Sequence, residues 1–565
     1  MQIIKKIKSK YKVIFSIGLV GVLALSIMSF DKKTDYFEIN KHLDIFATLY
    51  KELNTYYVEP IEPGELMRIG MDAMLESLDP YTNFISESEI GQHRLQTTGR
   101  YGGVGAVIRQ HNDKVVISEP YENYPAHKAG LKAGDILIQV DDEKIENRNT
   151  EQVSNMLRGQ AGTTVELTVK RLQADGTYEE IMNVLTREEI RVKNVPFYGW
   201  ADDGIGYIVL SNFTDNAGGE VRSAIESLQK EGELKGLIFD VRGNPGGLLS
   251  EAVNVSNVFI PRRQEIVSTK GKIPDWDRTF RTLNDPVDTE LPLVVLTNRG
   301  SASASEIVAG SVQDLDRGVV VGRRTFGKGL VQTTRSLPYQ SKLKVTTAKY
   351  LIPSGRSIQS IDYSNRLDGR PVSTADSLKV PFTTANGRVV FDGTGIMPDV
   401  EVASREYSPL TRALITNHVI FDFATKFSAE NEEIAPPSTF EITDETYNAF
   451  IAFLKERDIS YETESERLIT ELENKLKDEK YMEAVEETLA SVLLKIKEDK
   501  AEDVYTFREE IEELLATEIV SRYYHRSGKI EIGLRYDHDI LKGLEILHDQ
   551  AEYRALLSPQ SVQAE

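Results

Sequence analysis

Three serines alternate with alanines at positions 301, 303 and 305, just after an apolar run at residues 291–296. The run predicts a buried parallel strand, which the turn at residues 298–300 would end. Ile307, Val308 and Val312 recur at helical spacing, so we predict that a helix begins at the serines. A serine at such a turn lies where backbone N–H groups converge, and they could stabilise an oxyanion.

A serine nucleophile needs a base, and the composition restricts the choice. The chain has no cysteine and eight histidines, none of which lies between His127 and His418. A Ser-His-Asp triad would therefore require a histidine from another domain. A lysine that burial keeps neutral can also take a serine proton. Lys328, between two glycines and close to Phe326, is the candidate that we select.

Two motifs, GSASASEI from Gly300 and TFGKGLVQ from Thr325, resemble the carboxyl-terminal processing proteases, a family also called tail-specific proteases. The resemblance extends from about Asp35 to about Val402. It implies that Ser303 is the nucleophile and Lys328 its general base. It also implies that Gln332, one helical turn after the lysine, holds the lysine in place.

The same resemblance implies a core similar to that of crotonase and Clp protease, and an oxyanion hole formed by the N–H groups of Ala304 and Gly246. The loop at residues 240–247 (DVRGNPGG) could otherwise cradle phosphate, but it lacks the GK[ST] signature of nucleotide sites. We expect Asp240 and Arg242 to hold this loop by ion pairing.

A short β-rich region at residues 100–171 begins with a glycine-rich loop, and the order of elements in this region resembles a PDZ domain. PDZ domains bind the free carboxylate of a peptide with backbone N–H groups of such a loop, and the peptide adds as a strand. The resemblance predicts peptide binding at Gly102, Gly103, Val104 and Gly105.

The first thirty residues carry five lysines followed by an uncharged apolar run at residues 13–30. Charge bias would keep the lysines in the cytoplasm and place the rest of the chain across the membrane. The end of the run offers no clear cleavage site, so we favour a signal anchor over a cleaved signal peptide. The predicted location is extracytoplasmic (periplasmic), with residues 13–30 anchored in the inner membrane.

The remaining pattern predicts a multidomain α+β protein. After the membrane segment (1–30), the expected parts are an N-terminal helical region (35–95), a PDZ domain (98–188), an α/β serine protease core (189–405) and a charged C-terminal helical bundle (406–565). Apolar stripes in the last part are typical of core faces, with a homodimer or adaptor surface as the alternative. The net charge of −21 argues against nucleic-acid binding.

The predicted function is endoproteolysis near the C-terminus of extracytoplasmic proteins, without metal or cofactor. Two alternatives remain open at this stage. One is a membrane-tethered PDZ scaffold with an inactive protease-like core, and the other is acyl-CoA chemistry on a crotonase-like core. The predicted signal anchor argues against the second, because CoA thioesters are cytoplasmic.

Overall fold

The computed structural model describes residues 31–367, 370–373, 379–457 and 459–559. The chain divides into two compact units, of which the first ends at Phe84. Helices α1 (Asp31–Tyr56) and α2 (Pro63–Glu76) form most of that first unit. The Tyr50 hydroxyl donates to the Pro63 carbonyl at 2.7 Å, which fixes the start of α2 against α1.

Within the described residues, no helix combines the length and the apolar character that a membrane crossing requires. The predicted anchor at residues 13–30 lies outside those residues.

The second unit begins with a short helix and a β-rich domain. Its β-sheet has the order β3-β4-β5-β7-β8, with β6 on β5, and a separate pair joins β2 to β9. Buried valines and leucines fill the space between this sheet and α5. The chain reaches this unit through strand β1 (Asn83–Ile85), which contains the boundary residue Phe84. The elements that follow are α3 (Ile90–Thr98), β2 (Arg100–Gly103), β3 (Ala106–His111), β4 (Lys114–Pro120), α4 (Pro125–Lys128), β5 (Ile136–Val140), β6 (Glu143–Lys144), α5 (Thr150–Leu157), β7 (Thr164–Leu172), β8 (Tyr178–Thr186) and β9 (Glu188–Arg191).

The following domain contains a sheet of six strands in the order β10-β11-β12-β15-β16-β23. All neighbours in it are parallel except β10 and β11. Apolar residues cover both faces, as expected for strands enclosed between helices. The elements are β10 (Phe197–Asp202), β11 (Ile205–Val209), α6 (Ala217–Glu231), β12 (Gly236–Asp240), α7 (Leu249–Phe259), β15 (Leu293–Thr297), α8 (Ala304–Asp314), β16 (Val319–Gly322) and β23 (Val400–Glu401).

A second, antiparallel sheet packs beside α8. In it β18 pairs with both β13 and β17, and β13 also pairs with β14. Its strands are β13 (Glu265–Gly271), β14 (Arg278–Arg281), β17 (Leu330–Ser336) and β18 (Lys342–Leu351). Two hairpins follow along the chain, β19 (Ile361–Leu367) with β20 (Arg370–Ser373) and β21 (Pro381–Thr383) with β22 (Val389–Phe391).

The C-terminal part is helical. Its apolar core joins α9, α10, α11 and α15, while two helices of a charged hairpin, α12 and α13, bury no side chain fully. The helices are α9 (Pro409–Thr416), α10 (Val419–Glu430), α11 (Asp444–Lys455), α12 (Glu464–Asp478), α13 (Met482–Lys500), α14 (Asp503–Thr506), α15 (Arg508–Gly533), α16 (His538–His548) and α17 (Gln550–Leu556).

The last two helices, α16 and α17, pack against the six-stranded sheet rather than within the helical bundle. Ile540, Ile546 and Tyr553 pack on one face of the six-stranded sheet, and the Tyr553 hydroxyl accepts from the Leu293 N–H at 2.9 Å. The sequence placed these residues in a separate C-terminal domain. In the structure they complete the cover of the six-stranded sheet.

Candidate active site

Loops that follow three parallel strands, β12, β15 and β16, meet at the carboxyl ends of those strands. Together with α3, β17 and β18 they line a cavity of about 600 Å³. Ligand sites in open α/β sheets are expected at this edge. Ser303, Ala304, Gly246, Lys328 and Gln332 all line the cavity, so the structure brings the predicted site residues of the core together.

Ser303 precedes the first residue of α8 and has a positive φ of 55°, which is rare for a residue with a Cβ. Its backbone N–H donates to Glu306 Oε2 at 2.7 Å. The hydroxyl groups of the two neighbouring serines donate to backbone carbonyls instead. Ser301 donates to the Val241 carbonyl and Ser305 to the Asn244 carbonyl, each at 2.8 Å. Of the three alternating serines, Ser303 is therefore the one that faces the cavity.

Glu306 connects the serine turn to the lysine loop. Its Oε2 also accepts from the Lys328 N–H at 2.9 Å, and its Oε1 accepts from Gly327 N–H at 2.7 Å and Thr325 Oγ1 at 2.6 Å. The side chain is fully buried. Burial raises the pKa of Glu306 to about 7, although the hydrogen bonds from these donors oppose that rise.

Tyr350 makes a second connection. Its hydroxyl lies 3.1 Å from the Ser303 carbonyl and within hydrogen-bond distance of the Lys328 carbonyl. The ring is buried at the end of β18. Because both backbones are fixed by Glu306 and Tyr350, Ser303 and Lys328 are held in one arrangement while their side chains line the same cavity.

The loop after β12 packs directly on the serine turn. Asn244 is buried, its carbonyl accepts from Ala302 N–H at 3.0 Å, and its side chain donates to Leu210 at 2.8 Å. At Gly246, with φ 99°, an added Cβ would lie 2.7 Å from the Ala302 carbonyl and 2.9 Å from the Ala304 nitrogen. Only glycine fits so close to this backbone.

The directions of the backbone N–H groups in this loop bear on the predicted oxyanion donor, Gly246. The N–H of Gly246 donates to Asn244 Oδ1 at 2.9 Å, so it is already engaged within the loop. The Gly246 carbonyl accepts from the Phe213 N–H, and the Leu248 N–H donates to the Phe213 carbonyl. Backbone groups alternate in direction along an extended segment, so the N–H of Gly247 points away from Phe213. Ala304 is the first residue of α8, where an N–H has no acceptor within the helix.

Gln332 lies on strand β17, so the expected position one helical turn after Lys328 is wrong. Its amide donates to Thr346 Oγ1 at 3.3 Å across the β17–β18 pair. The residue still lines the cavity, but it reaches it from a strand.

The PDZ-like domain has a groove between β3 and α5. Of the four predicted binding residues, Val104 and Gly105 line it, whereas Gly102 and Gly103 belong to β2. A Cβ on Gly102 would lie 2.0 Å from the Gly159 carbonyl, so that glycine serves close backbone packing.

Two arginines tie the active-site loops to the C-terminal helices. Arg242, at the start of the loop after β12, contacts Asp240 at 2.7 Å, Asp537 at 2.8 Å and Asp539 at 2.6 Å. Arg323, just before the lysine loop, contacts the same Asp539 at 2.9 Å. The expected ion pair of Asp240 and Arg242 is confirmed, whereas the aspartates of the C-terminal helices carried no motif in the sequence.

Comparison with known proteins agrees with this architecture. Residues 204–364 match Peptidase family S41, residues 116–171 match a PDZ domain, and residues 410–547 match the family described as probable PDZ-protease, C-terminal helical domain.

Among similar proteins, a carboxy-terminal-processing protease of Bartonella bacilliformis is 37% identical over 344 residues, which is 60% of this chain and 77% of the relative. A probable CtpA-like serine protease of Staphylococcus haemolyticus is 33% identical over 64% of this chain and 65% of its own length. A solved photosystem II D1 C-terminal processing protease is 28% identical, with a TM-score of 0.34 over 63% of this chain and 92% of that protein.

Proposed function

The chain belongs to the carboxy-terminal processing proteases of peptidase family S41, and on that premise we propose that it cleaves extracytoplasmic proteins near their C-termini with a Ser303/Lys328 dyad. The observation that carries the proposal is the shared anchoring of these two residues. Glu306 accepts from both backbone N–H groups, Tyr350 contacts both carbonyls, and both side chains line one cavity.

In the proposed reaction, the neutral amine of Lys328 takes the proton of Ser303 Oγ while that oxygen forms a bond to the carbonyl carbon of the substrate. The N–H groups of Ala304 and Gly247 stabilise the negative carbonyl oxygen. Protonated Lys328 then gives its proton to the leaving amine as the C–N bond breaks. Lys328 then takes a proton from water while the water oxygen bonds to the acyl carbon, and it gives that proton to Ser303 Oγ as the acyl C–O bond breaks, which frees the product carboxylate.

We propose that the PDZ domain captures the free carboxylate of the substrate at the groove lined by Val104 and Gly105. Extracytoplasmic action rests on the lysine cluster and apolar run of residues 1–30 in the sequence. A contact with a second copy or an adaptor stays a prediction for the helical hairpin, which exposes Leu468, Leu472 and Leu494.

Two substitutions test the dyad. Ser303→Ala and Lys328→Ala should each abolish cleavage of an unstructured peptide and retain the melting temperature within a few degrees. A fluorophosphonate probe should label the wild-type serine but not Ser303→Ala. Lys349→Ala is a matched control, because Lys349 is an exposed lysine on β18.

Two other candidate bases line the cavity, His93 on α3 and Lys344 on β18. If Lys328 is the base, Lys344→Gln, like His93→Gln, should retain cleavage of the unstructured peptide. If His93 were the base, His93→Gln would abolish cleavage while Lys328→Ala would retain it, and the proposed dyad would be refuted. If the protein were only a tethered PDZ scaffold, the wild type would bind the peptide without cleaving it and the probe would not label Ser303.

A further inference from the structure

The far end of the active-site cavity is basic. Lys344 from β18 and His93 from α3 line it, next to Gln332 and Thr334 of β17. Lys342 adds a further positive charge close enough to act on His93. The two lysines give this end of the cavity a local positive charge in a chain whose net charge is −21.

The position of this cluster follows from strand geometry. Lys344 pairs with Thr334 of β17, so it lies on the face of the β17–β18 pair that also carries Gln332, and all three residues line the cavity. Tyr350, which contacts the Ser303 carbonyl, lines the same cavity from the end of β18, beyond a bulge in that strand. Six residues separate Lys344 from Tyr350, a span of about 20 Å at roughly 3.3 Å per residue. A peptide extended along the cavity would cover that span in about six residues.

The two lysine charges have no compensating carboxylate among the residues described, whereas His93, with a pKa lowered from 6.5, is a neutral imidazole at neutral pH. Within the part of the chain that the structure describes, no ion pair joins Lys342, Lys344 or His93 to a carboxylate. Burial alone lowers the pKa of Lys344. Burial and then the charges of Lys342 and Lys344 lower the pKa of His93. A half-buried cation without a partner is unfavourable, so a bound anion would be favoured at this place.

We propose that Lys344, assisted by Lys342 and His93, binds a carboxylate of the substrate peptide about four to eight residues from the scissile bond. This subsite rests on the proposed peptidase function and adds a substrate class to it, peptides with an acidic group at that distance. The carboxylate could belong to an acidic side chain or to the free C-terminus of a short tail. The two sources share their chemistry and are separated by the test.

The test uses the full protein and matched peptides that differ at one position, Glu against Gln, placed in turn four to eight residues from the cleaved bond on either side. Each peptide is prepared with a free and an amidated C-terminus. We expect the wild type to favour Glu at one position by about five- to thirty-fold in kcat/KM, mainly through KM, as for a charge-assisted contact. Added salt should reduce this ratio.

Lys344→Gln should bring the Glu-to-Gln ratio to about one, whereas Lys344→Arg should retain a preference. Lys349→Gln, a change at an exposed lysine of the same strand that does not line the cavity, should leave the wild-type ratio in place. A preference for the free over the amidated terminus that depends on Lys344 would assign the site to the C-terminal carboxylate. Equal rates for all Glu and Gln peptides and for both termini would overturn the subsite, as would a ratio that Lys344→Gln does not change.

Binding separates this proposal from the peptidase proposal. Ser303→Ala, which cannot form the acyl intermediate, should bind the preferred Glu peptide more tightly than its Gln analogue in fluorescence anisotropy, and Ser303→Ala with Lys344→Gln should not. If the wild type cleaves none of the peptides but this difference in affinity persists, the peptidase proposal fails and the anion subsite stands.

Discussion

Glu306→Gln is the substitution that best separates stability from catalysis in this site. The carboxylate accepts from three backbone N–H groups, those of Ser303, Gly327 and Lys328, and from the Thr325 hydroxyl. Glutamine has the same size but one acceptor oxygen and an NH₂ group in place of the other. In either orientation of the amide, at least one backbone N–H would face another donor.

The expected change in global stability is small. A pKa of about 7 in place of the ordinary 4.5 means that the ionised carboxylate costs about 3 kcal/mol more than the neutral carboxyl in the folded protein. The sign follows from linkage. Because the folded pKa is raised, the contribution of Glu306 to stability is largest below pH 4.5 and is lost as the pH rises through about 7.

Glutamine is neutral at every pH, so the variant avoids this loss. The free energy of unfolding of the variant relative to the wild type should therefore improve by about 2 kcal/mol between pH 5.5 and pH 8.5. At pH 8.5 the two proteins should agree within about 2 kcal/mol, because relief of the buried charge offsets one poorly paired N–H.

Activity should respond far more strongly. The peptide groups of Ser303 and Lys328 lose a common acceptor, and small displacements of reacting groups cost about 100-fold in rate. We expect kcat/KM at pH 8.5 to fall by about that factor.

The assay is urea unfolding at both pH values together with peptide cleavage. Glu251→Gln is the control, a buried carboxylate that accepts from Gly218 N–H at 3.0 Å in the same domain. Near-wild-type cleavage by Glu306→Gln, or a loss of more than about 4 kcal/mol at pH 8.5, would refute this reasoning.

Two further predictions concern contacts of the C-terminal helices. Asp539→Asn should lower the free energy of unfolding in urea by about 2–4 kcal/mol and lower kcat/KM, because Arg242 and Arg323 lose their shared carboxylate. Glu545→Gln, which changes an exposed ion pair on the same helix, is the control. Unchanged kinetics of Asp539→Asn would contradict the prediction. The PDZ domain should loosen from the helical domain as the pH falls below about 6.5. Burial lowers the pKa of His418 and His525, which contact His111 and His127 of the PDZ domain, so protonation opposes these contacts. Spin labels at Asp113→Cys and Glu430→Cys in this cysteine-free chain would measure the separation, and identical distances at pH 7.5 and 5.5 would contradict it.

The sequence predicted the parts of the site that depend on local pattern. The apolar run at residues 291–296 and the helical spacing after Ser303 identified β15 and α8, and both are confirmed. The PDZ domain, the S41 core and the C-terminal helical domain are confirmed as well. Local pattern succeeds here because strand, turn and helix are adjacent in the chain.

The sequence could not predict contacts between distant segments. Glu306 stands within the serine motif and Thr325 within the lysine motif, yet nothing in either motif says that one carboxylate joins them. The engagement of the Gly246 N–H by Asn244, which led us to propose Gly247 as the oxyanion donor, depends on the direction of single N–H groups in a loop with positive φ. His93 lines the cavity from α3, within the N-terminal helical region in which the sequence indicated no site residue.

The contacts of Asp539 bear on what the C-terminal region contributes to catalysis. This residue is only 2% exposed and lies at the start of α16, whose apolar face covers the six-stranded sheet. One carboxylate there joins the loop that carries Gly247 to the loop that carries Lys328, since Arg242 begins the first and Arg323 precedes the second. A buried ion pair of this kind contributes little net stability but penalises any arrangement that separates its members. Displacing α16 would therefore release the loop after β12 and the loop that carries Lys328 together, which makes the last helices a structural part of the peptidase core.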